Sequence, residues 1–435
     1  MEISLESAQR RKILLAASLA IAIVIIFEAG RLWLATSRLD SGQLELMERG
    51  AALMPGNGAA WESIGTLRQW DFANPDLAGA LADFQKAVRD DPRSAQYWMD
   101  LASAYEASGE TARARDAFLR AQSVYPASAE VAFHYGNFLL RQEQYSEGYA
   151  QFQRAVRADP TLLPLVISRT WRSSGDVDAL LHQAIPANTE AYLQAIDYFA
   201  SIQQSQAALA AWKGLLALKQ PVPLPRTFSF FEDLIREDRA EEARQAWPQA
   251  LQAAGLPYDG PADGSLIWDG KFTRDFTDGG LDWHWVPLAN VVINFDSDAV
   301  PNGSRAIRLD FNGGSNVALA APSQFVPVQP SRNYHFHAYL RTQEITTESG
   351  VRFSLMDPNH AGALNLLTDN FLGSHPWTPI ELDFATGPAT HFLLVQLKRD
   401  PSTLFDSQIN GSAWIADVSI FPSDAQTTQT RQAPR

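Results

Sequence analysis

Two histidines alternate with aromatic residues in NYHFHAYLRT, Asn333 to Thr342, and an arginine follows them. On a strand, His-x-His turns both imidazoles to one face, a geometry compatible with zinc. His284, His360, His375 and His391 lie in the same part of the chain, yet no spacing marks a third ligand and no HExxH helix is present. Glycoside hydrolysis needs two carboxylates held across a cleft. Glu344, Glu348, Glu381 and Asp383 are available, but nothing in their spacing groups them. The chain also lacks a Gly-x-Ser-x-Gly elbow, a P-loop and a Gly-x-Gly-x-x-Gly turn after a strand. It therefore reads as no enzyme, and the chemistry of the histidines depends on which elements position them.

Composition narrows those elements. The 435 residues are 46% hydrophobic and 11% aromatic, enough for packed cores in two or three domains. A formal net charge of -14 and a pI near 5.0 argue against a nucleic-acid partner, whose phosphates call for a basic face. With no cysteine there is no disulfide, no thiolate metal site and no cysteine nucleophile.

At the N-terminus Arg10, Arg11 and Lys12 precede ILLAASLAIAIVIIF, an uncharged run from Ile13 to Phe27. At about 1.5 Å per residue it covers roughly 22 Å of a ~30 Å hydrocarbon core, and Leu32, Trp33 and Leu34 extend it. Glu28 and Arg31 are one turn apart and can pair at the far interface. A cleaved signal peptide and a buried core helix are the competing readings. Against cleavage, Phe27, Glu28 and Trp33 stand where a signal peptidase needs small residues. The expectation is a cytoplasmic tail over 1–12, an uncleaved transmembrane signal anchor over 13–35, and the rest of the chain extracytoplasmic.

The next region repeats itself. Trp98, Leu101, Ala102, Tyr105, Ala114, Phe118, Ala121 and Pro126 recur 34 residues later as Tyr135, Gly136, Leu139, Gly148, Phe152, Ala155 and Pro160, and 34 earlier as Ala80, Phe84, Ala87 and Pro92. This spacing resembles the tetratricopeptide repeat. The interval Pro55 to Pro92 is 37 residues, which places a three-residue insertion at DFANPD. LELMERGAALMP reads as a second helix without its partner, continuous with the anchor. Beyond Pro160 the pattern degenerates, although Tyr192, Ala208, Trp212, Leu234, Ala243 and Trp247 still match. An all-α superhelix over 43–255 is expected, three clear units and two or three weaker ones. The resemblance implies a concave groove for a protein partner. By analogy Met99, Ser103 and Glu106, then Phe133, Asn137 and Leu140, face that groove, the alternative being ordinary exposed helix positions.

At GLPYDGPADGS, a linker over 256–264, helical spacing gives way to short alternating runs such as SRAIRLDF, VRFSLMD, HFLLVQLKR and SAWIADVSIF. Turn signals recur between them, and Asn302-Gly-Ser304 and Asn410-Gly-Ser412 mark exposed turns. An antiparallel β-sandwich is expected over 265–422, with a disordered tail over 423–435. The order of LIWDGKFTRDFTDGGLDWHW, the central YHFHAYLRT, WTPIELDF and the closing GSAWIADVSIFP resembles the galactose-binding-like jelly rolls, including carbohydrate-binding modules. Alternation sends Tyr334, Phe336, Ala338 and Leu340 into the core, and His335, His337, Tyr339 and Arg341 to the other face. There the resemblance implies a glycan groove, with Trp283, Trp285 and Trp377 as stacking surfaces. A packing face and a zinc pair are the other readings. The resemblance also implies a structural calcium near the closing Asp417; no other cofactor is expected.

The whole chain is thus expected to be multidomain, a single-pass protein of the bacterial inner membrane with its bulk in the periplasm. Its expected role is a non-catalytic scaffold for assembly or export of a cell-surface polysaccharide. The repeats would hold a protein partner and the sandwich a glycan. The alternative is an extracytoplasmic protein-assembly factor whose sandwich only packs or binds protein.

Overall fold

The computed structural model describes residues 8–71, 74–257, 264–297, 300–301 and 305–423. Residues 1–7, part of the DFANPD insertion, most of the 256–264 linker, the Asn302 sequon and the tail from 424 onward lie outside the described residues. The chain divides into two compact units, Met1–Pro186 and Ala187–Arg435.

The first unit is helical. It contains α1 (Ala8–Leu39), α2 (Leu44–Ala52), α3 (Gly58–Gln69), α4 (Leu77–Asp90), α5 (Ala95–Ala107), α6 (Thr111–Val124), α7 (Ala129–Arg141), α8 (Tyr145–Ala158), α9 (Leu163–Ser174) and the short α10 (Val177–Ala179). Among the described residues α1 alone is long and apolar enough to cross a membrane, over Arg11–Leu39. Its last turns have a second task. Ala35 is fully buried, and a methyl group on Gly50 of α2 would stand 2.8 Å from the Ala35 carbonyl. Arg31 pairs with Glu28 and donates to the Leu53 carbonyl at the end of α2. The segment LELMERGAALMP therefore has a partner helix: the end of α1 itself, reached through a turn at 40–43 rather than by continuation.

From α4 on, the helix starts keep the period of the sequence. Leu77, Thr111 and Tyr145 open α4, α6 and α8 at intervals of 34, as do Ala95 and Ala129 for α5 and α7, whereas Gly58 to Ala95 is 37. Ser94 and Ser128, also 34 apart, each accept from a backbone N–H three residues on and so cap α5 and α7. Each pair closes by seating a ring on a small residue. A methyl group on Gly65 would stand 2.9 Å from Phe84, and one on Gly136 2.7 Å from Phe152. Between them Ala102 and Phe118 share one core with Tyr135 and Phe138, whose rings lie 5.4 and 5.2 Å from that of Phe118.

The second unit starts with α11 (Thr189–Ser201), α12 (Ser205–Ala217), α13 (Phe228–Arg236) and α14 (Ala240–Ala253). Among the described residues nine strands follow: β1 (Val291–Asp296), β2 (Ala306–Asn312), β3 (Leu319–Pro327), β4 (Asn333–Ile345), β5 (Arg352–Met356), β6 (Asn365–Leu367), β7 (Gly373–Ala385), β8 (Phe392–Arg399) and β9 (Asn410–Pro422). They form an antiparallel sandwich of a five-stranded sheet, β1-β2-β9-β4-β7, and a four-stranded sheet, β3-β8-β5-β6. Tyr334, Phe336, Ala338 and Leu340 of β4 enter the shared core with Ile307, Phe353 and Val395, so the alternation of the central strand is as expected.

Helices and sandwich share one aromatic run. Trp212 stacks on Phe230 at 5.0 Å, Phe231 meets Trp247 at 5.2 Å, and Trp247 meets Trp268 of the segment that opens the sandwich at 6.3 Å. Gly280 lets this happen: it holds a left-handed φ of +62°, and a methyl group there would stand 2.2 Å from Trp247. Asn359 adds two polar ties, to the Ile235 carbonyl at 2.6 Å and to Asp238 at 2.7 Å.

The repeat packing predicts that Phe118→Ala empties the α5–α7 core and costs about 3–5 kcal/mol. Hydrogen exchange should show faster opening of α5, α6 and α7 while the amides of β4 and β9 keep their protection.

Candidate functional site

The first helices of three successive pairs, α3, α5 and α7, enclose a cavity of about 330 Å³. Its apolar floor includes Met99, Phe84 and Phe118, and its walls are polar. Met99, Ser103 and Glu106 line it. Phe133, Asn137 and Leu140 lie outside that lining. Phe133 packs on Phe152 at 5.6 Å, Asn137 turns back to donate to the Phe133 carbonyl at 2.9 Å, and Leu140 is buried against Gly148. From α7 the cavity is lined by Glu130, His134 and Arg141 instead. Glu130 and His134 are the 34-residue counterparts of Gln96 and Asp100, which line the cavity from α5. Glu62, Thr66, Gln69 and Trp70 complete it from α3.

The electrostatics of this groove are one-sided. Among the described residues Arg141 is the single lysine or arginine of the lining, and one edge of its guanidinium, Nε and Nη2, is held by the two carboxylate oxygens of Glu106 at 2.6 and 2.7 Å. Asp100 has no such partner. Burial, with Glu62 and Glu130 nearby, pushes its carboxyl up to about 7 against two hydrogen bonds from Gln96 at 3.0 and 3.1 Å. Burial likewise lowers the His134 imidazole, with Arg141 adding to the fall and Glu130 opposing it. Near neutral pH His134 therefore supplies little positive charge.

The second candidate surface is the outer face of the five-stranded sheet. Strand register sets His335 opposite Asp383 and His337 opposite Glu381, with Nδ1 to carboxylate distances of 2.8 and 3.8 Å. The His337 and Tyr339 rings meet edge to face at 5.0 Å. Arg341 lies over Trp414, 4.5 Å from the ring centre, and Arg308 approaches the same ring at 5.1 Å. Tyr339 and Trp377 pack beside Trp414, Ala306 and Ala416. The buried Trp377 Nε1 has no hydrogen-bond partner among the described residues. Five of the seven expected residues, His335, His337, Tyr339, Arg341 and Trp377, thus share this face.

The other two tryptophans do not. Trp283 is wholly buried in the sandwich core against Phe272, its indole donating to the Asp269 carbonyl, so it offers no stacking surface. Trp285 packs half-buried against that same core. Sequence reading missed Trp414, which is only 4% exposed beneath Arg341 and Arg308 and so closes this face by packing rather than offering a stacking surface. The alternation of SAWIADVSIF, which sends Ala413 and Ile415 inward, already placed it outside.

Asp417 sits in a β-bulge of β9 with φ +51°, where the register of β4 and β9 slips between His337 and Tyr339. No group of three or more His, Asp or Glu side chains that could hold a metal ion occurs among the described residues. His335 and His337 are therefore not joined there by a third such side chain.

The family model described as Tetratricopeptide repeat matches residues 72–123 and 100–162. The helical pairs there are tetratricopeptide repeats, a protein-interaction architecture. No curated protein matches the chain significantly. Among solved structures, MamA is 15% identical, with 40% of this chain and 86% of that one covered and a TM-score of 0.27. A tetratricopeptide repeat protein from Parabacteroides merdae is 16% identical, covering 53% and 94%, with a TM-score of 0.30. The CBM22-1-GH10 modules of a Clostridium thermocellum xylanase are 14% identical, covering 38% of this chain but only 29% of that one, with a TM-score of 0.26.

The Asp100 carboxyl makes stability depend on pH. Its folded value of about 7 stands above the ordinary 3.8, so between these values the native state binds more protons than the unfolded chain. Stability should fall as pH rises through that window, by at most about 1.4 kcal/mol per pH unit for one proton. Thermal melts from pH 5 to 8 should show the slope, and Asp100→Asn should remove that component; an unchanged slope in the variant would refute the assignment.

Proposed function

We propose that the chain is a non-catalytic, membrane-anchored scaffold of the bacterial cell envelope, acting in the assembly or export of a surface polysaccharide. The groove of α3, α5 and α7 holds a protein partner, and the outer face of the five-stranded sheet meets glycan. The open cavity across three successive repeats carries the first half of this reading, since grooves of this architecture present first-helix side chains to a peptide or protein surface. Anchoring is supported by α1, whose apolar window is exposed throughout, and by the cations ahead of it, which favour a cytoplasmic N-terminus. Because the end of α1 is also the partner of α2, the anchor enters the first helical hairpin without a flexible linker.

The glycan half is supported by the row His335, His337, Tyr339 and Arg341 with Trp377 beside it. Planar rings and fixed donors suit the apolar faces and hydroxyl edges of sugars. Glu381 and Asp383 pair with the two histidines and fix them on this face.

A second reading is supported by the aromatic run from Trp212 to Trp268 and by the Asn359 ties. These make the sandwich a packing module on the last helices, as an extracytoplasmic protein-assembly factor needs. The two part at one experiment. A glycan array with the full chain in nanodiscs should give hits that Tyr339→Ala and His337→Ala weaken about tenfold, near 1.4 kcal/mol, with little change in melting temperature. No glycan binding, with a protein partner retained, would leave the second reading.

A further inference from the structure

We infer that the groove of α3, α5 and α7 takes a cationic segment of its partner, a lysine or arginine side chain that passes Trp70 and ends among Glu62, Asp100 and Glu130. The inference rests on the groove being the protein-binding site and adds the chemistry of what enters it. Four carboxylates, Glu62, Asp100, Glu106 and Glu130, face the cavity against one guanidinium, and that guanidinium is already clasped by Glu106. Three carboxylates are left with no lysine or arginine of the lining to answer them. They do not form a metal-holding group.

The apolar part of the cavity independently suggests the same ligand. Trp70 lines the groove yet is 65% exposed, and Met99 lies within it. An exposed indole beside carboxylates fits the two-part chemistry of lysine and arginine, whose aliphatic stems lie along apolar surface while the charged head reaches anions. A neutral segment would leave the negative charge unanswered, and an acidic one would add to it.

Entry of a cation also has a consequence in protons. The groups facing Asp100 are Glu62 from α3, Glu130, His134 and Arg141 from α7, and Gln96 from its own helix. A cation placed among them favours the ionised carboxylate, so binding near pH 7 should expel roughly half a proton from a group that titrates at about 7.

The test uses the full chain in nanodiscs and short alanine–serine peptides carrying lysine, arginine, glutamine or glutamate at every third position. Calorimetry should show binding of the lysine and arginine peptides only. The heat should depend on the buffer's ionisation enthalpy, and affinity should fall more than about tenfold from pH 7.5 to 5.5. Asp100→Asn should abolish the pH dependence and the proton release, and Glu62→Gln should weaken binding while the melting temperature reports that both variants fold. Equal or tighter binding of the glutamine or glutamate peptides would overturn the cationic ligand and leave the scaffold reading standing. So would binding of no peptide by a chain that still captures its partner through another surface. If no peptide and no partner binds at all, both readings fall.

Discussion

A phenylalanine seated on a residue with little or no side chain is the contact on which the first unit depends. Phe84 on Gly65, Phe118 near Ala102 and Phe152 on Gly136 each bring two helices closer than any larger residue would allow. Neither helix of a pair has a wide enough apolar face to be stable alone, so the seat sets both the pairing and the distance at which the next pair stacks. The groove follows from this spacing. First helices repeated every 34 residues put side chains at like rotations on one side, and the cavity between α3, α5 and α7 is the space those side chains leave.

The second unit uses aromatic packing differently. Trp212, Phe230, Phe231 and Trp247 fill the core of the last helices, and the same row ends on Trp268, a residue of the sandwich. A glycine pair at 279–280 keeps the approach open. Inside the sandwich two buried polar side chains hold the segments that the strands do not. Gln324 accepts from the Trp268 amide and donates to its carbonyl, and Arg399 is spread over the carbonyls of Ser349, Val317 and Ser407. With the Thr347 hydroxyl and the Asn316 side chain as further acceptors, this buried guanidinium fixes several loops at once, at the desolvation cost that lowers its own pKa.

Much of this was legible in the sequence because it is periodic. The 34-residue interval, the 37-residue exception and the inward set of β4 each came from spacing, which is what helices and strands impose on any chain. Less legible were properties that depend on distant partners. The positions read for α5 line the cavity, yet the same offsets in α7 led to Phe133, Asn137 and Leu140, which are turned away by Phe152, by the Phe133 carbonyl and by Gly148 respectively. Trp283 looked like a platform because its neighbours are turn residues, and nothing local reveals that Phe272 covers it. The attachment of the last helices to the sandwich was invisible for the same reason: it seats Trp247 on Gly280, 33 residues on, and Phe228 on Gly279.

Two aspartates on adjacent helices show how the fold and the groove differ. Asp83 on α4 is fully buried, and the chain answers it with Lys86 at 2.8 Å and with Arg68. Asp100 on α5 is also drawn out of solvent, but its neighbours are Gln96, Glu62 and Glu130. A buried carboxylate that helps to hold a fold is matched within that fold, because leaving it unmatched costs stability. Asp100 makes no such contribution, and its ionisation works against the native state. The groove is therefore held in an electrostatic condition that a positively charged visitor improves, and the repeats that build it gain nothing from its negative charge until one arrives.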